Sequence, residues 1–335
     1  MRTLPARSLW IAVCAAAVLA LTACPGGGKI PGRSNGVDPN TCGNYAASDA
    51  GRKLKAFLEA TVRVDTEAQR LVDVVGESCA IMGRELAMAD GDLKGDPKAV
   101  CDKVFARLND DLKVSIKADA KLNVVYKPAV CTLDLQASAS AAAQCEAKAE
   151  ADIKMTCSGV CHGTCDGTCK GSGSAGTGGT GGSGDCNGEC SGTCHGSCEG
   201  SAEVDASAEC RAQAEVNASV DMQCTEPEFT VEAEASAIVD AAKAEAALNA
   251  MRKGFPKIFS VSARLKPFGA AVKTWAATAS GLAAAGRDLA NSFKDQALCI
   301  TGQIKAAADA AARVQVNVEV SVEVSASASG SAGTR

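Results

Sequence analysis

Eighteen cysteines and two histidines are the residues of this 335-residue chain best suited to chemistry. Thiols bind soft metals, attack as nucleophiles once ionised, or oxidise in pairs to disulfides. Spacing separates these uses. Twelve cysteines lie between Cys131 and Cys224, at intervals of 14, 12, 4, 4, 4, 17, 4, 4, 4, 12 and 14, which read the same in both directions. The nested pairs Cys131/Cys224, Cys145/Cys210, Cys157/Cys198, Cys161/Cys194, Cys165/Cys190 and Cys169/Cys186 have residue numbers with a common total, 355. A constant total is the register condition of an antiparallel pair, and even intervals put all six cysteines of an arm on one face of a strand. Antiparallel neighbours sit about 4.5–5.5 Å apart at Cα, a span that a disulfide accepts. Six cross-strand disulfides are expected. Metal thiolates are the weaker reading, because four residues of strand separate two cysteines by roughly 13 Å, too far to share one ion.

The two histidines, His162 and His195, fall inside the cysteine blocks on the opposite phase, as diagonal neighbours across the expected ribbon. Imidazole suits copper and zinc. Two ligands are too few for a closed site, so they are weak metal candidates beside the plainer reading of solvated turn residues. Glu146, Glu150, Asp152, Glu203, Asp205 and Glu209 would face one another across the ribbon. Such a stripe could hold calcium, although a solvated acidic face is the commoner outcome. The letters Gly171 to Gly176 match a dinucleotide fingerprint but open no helix and sit in a glycine run, so they carry no weight. The sequence has no nucleophile elbow, no zinc-protease helix motif, no P-loop and no histidine outside the ribbon. A serine or cysteine nucleophile would lack a base. No catalytic residue, cofactor or enzymatic activity is expected.

The elements that position these residues follow from periodicity. Leu133, Leu135, Ala137 to Ala143 at alternate positions, Ala147, Ala149, Ala151, Ile153 and Met155 share the cysteine phase, and Asp134, Gln136, Ser138, Gln144, Glu146, Lys148, Glu150, Asp152 and Lys154 lie on the opposite one. The second arm repeats this from Ala202 to Met222. Strict alternation is the strand signal. Alanine, glutamate and lysine favour helix and place like charges opposite one another, so a helical hairpin is the rival for these stretches. The strand reading is preferred, giving an arm on the order of 120 Å from Cys131 to Cys169 if straight. Beyond Pro128 and Pro227, Tyr126 faces Phe229 and Val124 faces Val231. The tip, 170–185, is mostly Gly, Ser and Thr.

Outside the ribbon the period changes to three and four. Leu54, Phe57, Leu58, Val64, Ala68, Leu71, Val75, Cys79, Met82 and Leu86 define a first helix with Ser48 as N-cap. A second runs from Pro97 to Leu112, a third carries Ile238 to Met251, and a long fourth carries Phe268 to Ala308, with Gly254-Phe255-Pro256 and Pro267 as punctuation. Aromatics are 3% of the chain, which points to a narrow, coiled-coil-like bundle. Val314 to Val324 alternate with polar residues and read as a C-terminal strand beside the ribbon. The expected fold is α+β: a narrow antiparallel helical bundle (47–112 and 237–311) with an inserted long disulfide-stapled antiparallel β-hairpin (113–236), a C-terminal β-strand (312–328) and a frayed tail (329–335). Cys79 near the end of helix one approaches Cys101 at the start of helix two. Antiparallel helices one and four bring Cys42 to Cys299. Cys79–Cys101 and Cys42–Cys299 are therefore the expected pairs.

The N-terminus sets the compartment. Arg2 and Arg7 precede an apolar run, Leu9 to Leu21, followed by Leu21-Thr22-Ala23-Cys24. A charged start, a short apolar core and small residues before a cut describe an export signal. The four residues resemble the lipobox of bacterial lipoproteins. The resemblance covers 1–24 only and implies cleavage of the signal peptide 1–23 and acylation of Cys24. Pro25 follows rather than the aspartate that retains many such lipoproteins at an inner membrane, which allows an outer-membrane destination. Losing Arg2 and Arg7 leaves the mature chain two charges more negative than the −5 of the whole. A glycine- and proline-rich tether, 24–46, follows. Export means an oxidising environment, consistent with disulfides. The acidic balance gives no field for nucleic acid.

The expected role is that of a lipid-anchored structural or adhesive envelope protein that projects a rigid cross-linked ribbon. Its partners would be the membrane, through the lipid, and a second copy or another envelope protein. The alternative is a subunit of an oligomeric outer-membrane channel, disfavoured because membrane strands need about 9–11 residues and an alanine face suits lipid poorly. A metal- or calcium-binding envelope protein is the lesser alternative.

Overall fold

The computed structural model describes residues 36–118, 120–172, 183–285 and 291–333. It is a mixed α+β protein in which a helical base carries an inserted, disulfide-stapled antiparallel hairpin. The base begins with α1 (Asp49–Glu85) and α2 (Pro97–Ser115). Ser48 caps α1 by accepting a hydrogen bond from the Gly51 N–H at 3.0 Å, and Asp96 caps α2 through the Ala99 N–H at 2.9 Å. The 3–4 repeat of α1 is buried as its spacing requires, with Phe57, Leu58, Val64, Ala68, Val75 and Cys79 fully inside.

The returning chain departs from expectation. Helix α5 (Ala241–Ala284) is continuous and contains Pro256 and Pro267, where two helices separated by a break were expected. A proline inside a helix costs roughly 3 kcal/mol. The face it shares with α1 offsets this: Phe255, Ile258, Phe268 and Trp275 are all buried, and the Trp275 indole N–H donates to the Thr61 hydroxyl at 2.9 Å. The interruption comes later, before α6 (Ala297–Gly333).

That last helix replaces the expected C-terminal strand. Ile300, Ile304, Ala307, Ala310, Val314, Ser321, Val324, Ser325 and Ala328 are buried, a helical spacing that period two cannot produce. No glycine or proline separates the alanine-rich first half from the valines, so the helix propagates against α1 and α5. Arg313 holds Asp65 of α1 at 3.0 Å and Glu323 meets Lys98 of α2 at 3.3 Å. The valines facing away, Val316 and Val322, are exposed. The end of the expected tether is also packed. The Asp38 N–H donates to Gln303 at 2.8 Å, and Tyr45 is buried edge-on against Phe293.

The insertion opens as a two-stranded ribbon, β1 (Asn123–Lys127) with β8 (Glu228–Glu232), in the expected register: Tyr126 is opposite Phe229 and Val124 opposite Val231. Phe229 packs on Phe255 and Phe259, with ring centroids 5.5 and 5.6 Å away, which seats the ribbon on α5. Next come β2 (Cys131–Asp134) and β7 (Gln223–Cys224), paired at Cys131 and Cys224.

Beyond them the straight strand fails. Residues Leu135–Glu146 form α3 and Ala208–Val220 form α4. Alanine at every second position satisfies period two and period 3.6 together, and intrinsic propensity with packing decides for helix. Leu135, Ser138, Ala139, Ala142 and Ala143 are buried at helical spacing, and α4 lies between α1, α3 and α5. Helix also separates the like charges that strand register would have set face to face. Ala147 ends α3 in the left-handed conformation, φ 54°. Each of the two helices carries one mirrored cysteine, Cys145 on α3 and Cys210 on α4, and strand pairing resumes with β3 (Met155–Cys157), β4 (Val160–Ser172), β5 (Ser183–Glu199) and β6 (Ala202–Val204). Regular pairing extends into the expected tip, since β4 continues to Ser172 and β5 starts at Ser183.

Candidate functional site: a cysteine-cored tube

Strands β4 and β5 wind around each other instead of lying flat. Cys161 is opposite Cys198 on one side and Gly188 on the other; His162 is opposite Ser197 and Asn187, and Cys165 opposite Cys194 and Gly184. Residues 161–166 of β4 are thus bordered by β5 on both edges, so the ribbon closes on itself as a narrow tube. At its root β5 also pairs with β2, at Leu133 with Cys198.

The sequence dictates the winding. On the inner phase cysteine alternates with glycine, as in Cys161, Gly163, Cys165, Gly167 and Cys169. Beyond Val160 at its root, the outer phase is polar: His162, Thr164, Asp166, Thr168 and Lys170 on one strand, Glu189, Ser191, Thr193, His195, Ser197 and Glu199 on the other. Gly163 has φ +146° and Gly196 φ +138°. A Cβ on Gly163 would overlap the His195 carbonyl oxygen, and one on Gly196 the His162 carbonyl oxygen. Only glycine permits that approach and that backbone region. The core is sulfur: Cys157, Cys161, Cys165, Cys186, Cys190, Cys194 and Cys198 are 3% exposed or less.

Disulfides join the mirrored pairs. Cys157–Cys198, Cys161–Cys194, Cys165–Cys190 and Cys169–Cys186 lie in the tube, with Cα separations of 5.7, 6.0, 5.8 and 5.8 Å. Cys145–Cys210 staples α3 to α4, and Cys131–Cys224 closes the ribbon below them. Cys79 is joined to Cys101 and Cys42 to Cys299. The backbone, however, is not in the bridge register. Each tube cysteine of β4 lies opposite a residue four places beyond its bonded partner: Cys161 with Cys198, Cys165 with Cys194, Cys169 with Cys190. The expectation that bonded cysteines would also be backbone partners holds at Cys131 and Cys224 and fails in the tube, because winding brings diagonal cysteines across the axis.

The histidines take carboxylates as neighbours. His162 Nε2 is 2.8 Å from Glu199 and His195 Nε2 is 2.8 Å from Asp166. Both pairs span β4 and β5, but their residue numbers total 361 and not the 355 of the bridges, so a reading of charges in the bridge register could not have found them. The acidic stripe is dispersed over α3, α4, β6, a short turn at 150–152 and the loop that holds Asp205. Among the described residues, no three His, Cys, Asp or Glu side chains converge as a metal site requires. Glu146 has a different use. Its carboxylate accepts from the Ser207 N–H at 2.5 Å and lies 3.0 Å from Lys53 Nζ, with its side chain 5% exposed. Burial opposes its ionisation, but the hydrogen bonds from Ser207 and the Lys53 ammonium overcome this and hold its pKa down to about 2. It latches α3, α4 and α1 together. Arg52, donating to the Cys145 carbonyl at 2.9 Å, and Arg63, on Asn217 and Asp221, complete that seam.

Cys24 lies outside the described residues. No helix among those described is long and apolar enough to cross a membrane. No protein-family model, curated protein or solved structure matches the chain. Its disulfide-rich architecture is of the extracellular type and belongs to an oxidising compartment.

Proposed function

We propose that this is a lipid-anchored protein of the bacterial cell envelope with a structural or adhesive role, presenting the cysteine-cored tube as a rigid element. The observation that carries the reading is the tube itself: a covalent sulfur core under a largely polar skin, a build suited to stiffness and persistence rather than to binding a small molecule. The presented element is the stretch 155–204. The α3–α4 pair below it docks on the helical base, so the projection is shorter than a straight ribbon. Acylation of Cys24 supplies the anchor, and an outer membrane the destination.

Two variants test the two halves. Cys24→Ser should move the protein from the membrane to the soluble fraction; unchanged fractionation would remove the anchor. The Ser158 N–H donates to the Ser201 carbonyl at 2.9 Å, so the chain can be closed at this neck by a short Gly-Ser turn. That tubeless protein should remain anchored while its cells lose surface attachment or become detergent-sensitive. Cells indistinguishable from wild type in both respects would overturn the structural role.

A further inference from the structure

The offset between bridges and backbone gives every bonded cysteine in the middle of the tube a second cysteine to face. Cys161 is bonded to Cys194 but opposite Cys198; Cys165 is bonded to Cys190 but opposite Cys194; Cys169 is bonded to Cys186 but opposite Cys190. Directly opposed antiparallel residues are about 4.5–5.5 Å apart at Cα, within the range a disulfide accepts. A second set of bridges, shifted by one step, is therefore available without moving the strands: Cys161–Cys198, Cys165–Cys194 and Cys169–Cys190. It contains one bridge fewer and leaves Cys157 and Cys186 as thiols.

We propose that the tube is a thiol–disulfide relay, in which reduction at the tip is delivered as a thiol at the root. Cys169 is the most exposed of the eight cysteines bridged in the tube, at 9%, which marks its bridge as the entry. An external dithiol reduces Cys169–Cys186, becoming a disulfide itself and leaving two thiols. The Cys169 thiolate attacks Cys190, the Cys165–Cys190 bond breaks, and Cys165 leaves as a thiolate. Cys165 attacks Cys194 and releases Cys161; Cys161 attacks Cys198 and releases Cys157, which takes up the proton that Cys169 gave. Each exchange makes one S–S bond and breaks one, so after the first step no electrons enter or leave. The relay ends at Cys157 because its backbone partner is Ala202, with no further sulfur to attack.

Limited reduction of the full-length protein with dithiothreitol, acid quench, unfolding and maleimide trapping reads the outcome directly. The expected labels are on Cys157 and Cys186, with new peptides joining Cys161 to Cys198 and Cys169 to Cys190. Labels on Cys169 and Cys186 with the other bridges intact would overturn the relay, as would labels spread evenly over the ladder. A Cys186→Ser variant asks the same question without any reductant, since one tube cysteine is then left without a partner. The relay places the unpaired thiol at Cys157; finding it at Cys169 would refute exchange along the tube.

Discussion

Glu146 ties three segments of chain with one carboxylate, and its ionisation makes that tie dependent on pH. Its folded pKa, about 2, lies below the ordinary 4.5. The stabilisation it gives is thus complete above pH 4.5 and is lost progressively as pH falls towards 2. Glu146→Gln should cost about 1–3 kcal/mol at neutral pH, because Lys53 and the Ser207 N–H lose a charged acceptor. Denaturant unfolding of both proteins at pH 7 and pH 2.5 checks this, with the gap between them narrowing in acid. Gly163 is constrained by space instead of charge. Its Cβ would meet backbone, which cannot swing aside like a long side chain, so Gly163→Ala should prevent the tube from closing. Non-reduced peptide mapping should then show scrambled partners for Cys161, Cys165 and Cys169, while Cys79–Cys101 still forms.

At the scale of elements, α6 is the one whose residues argue least for their own conformation. Its valines favour strand, and the buried Ser321 and Ser325 hydroxyls have no hydrogen-bond partner among the described residues. A buried hydroxyl without a partner costs about 1–3 kcal/mol. Ser321→Ala should therefore raise stability, by about 1 kcal/mol, measured as a higher denaturant midpoint with an unchanged slope. In a strand beside the ribbon, the same substitution would have no such reason to help. The contrast with α1 shows what the sequence made readable. The spacing of Leu54, Phe57, Leu58 and Val64 fits one period only, and the Ser48 cap marks the start. In α3 and α4 alanine fits both periods, and the neighbour that chooses, the face of α1, is distant in sequence. The prolines of α5 read as stops because the packing that outweighs them, around Trp275, is likewise non-local. The mirror in the cysteines predicted which cysteines the structure joins, since bridges depend only on pairing order. It did not predict the backbone register of the tube, which depends on winding imposed by Gly163, Gly167, Gly196 and Gly200.

For the whole molecule, the base and the tube rest on different physics. The base has a conventional apolar core, with Phe57, Phe255, Phe268 and Trp275 fully buried. Between the paired strands β4 and β5 the described interior is cysteine and glycine. Complete reduction should accordingly abolish the tube while most of the helical circular dichroism at 222 nm persists; parallel loss of the helical signal would show that the base depends on the bridges. The difference has a calorimetric consequence. Heat capacity and denaturant slope both scale with the apolar surface that unfolding exposes, and a two-stranded tube filled by sulfur and glycine exposes little. Heating or urea titration of the oxidised protein will report the base alone, and the tube will remain wound in solutions where the helices have melted. What limits its lifetime is the electron supply of its surroundings, not their temperature.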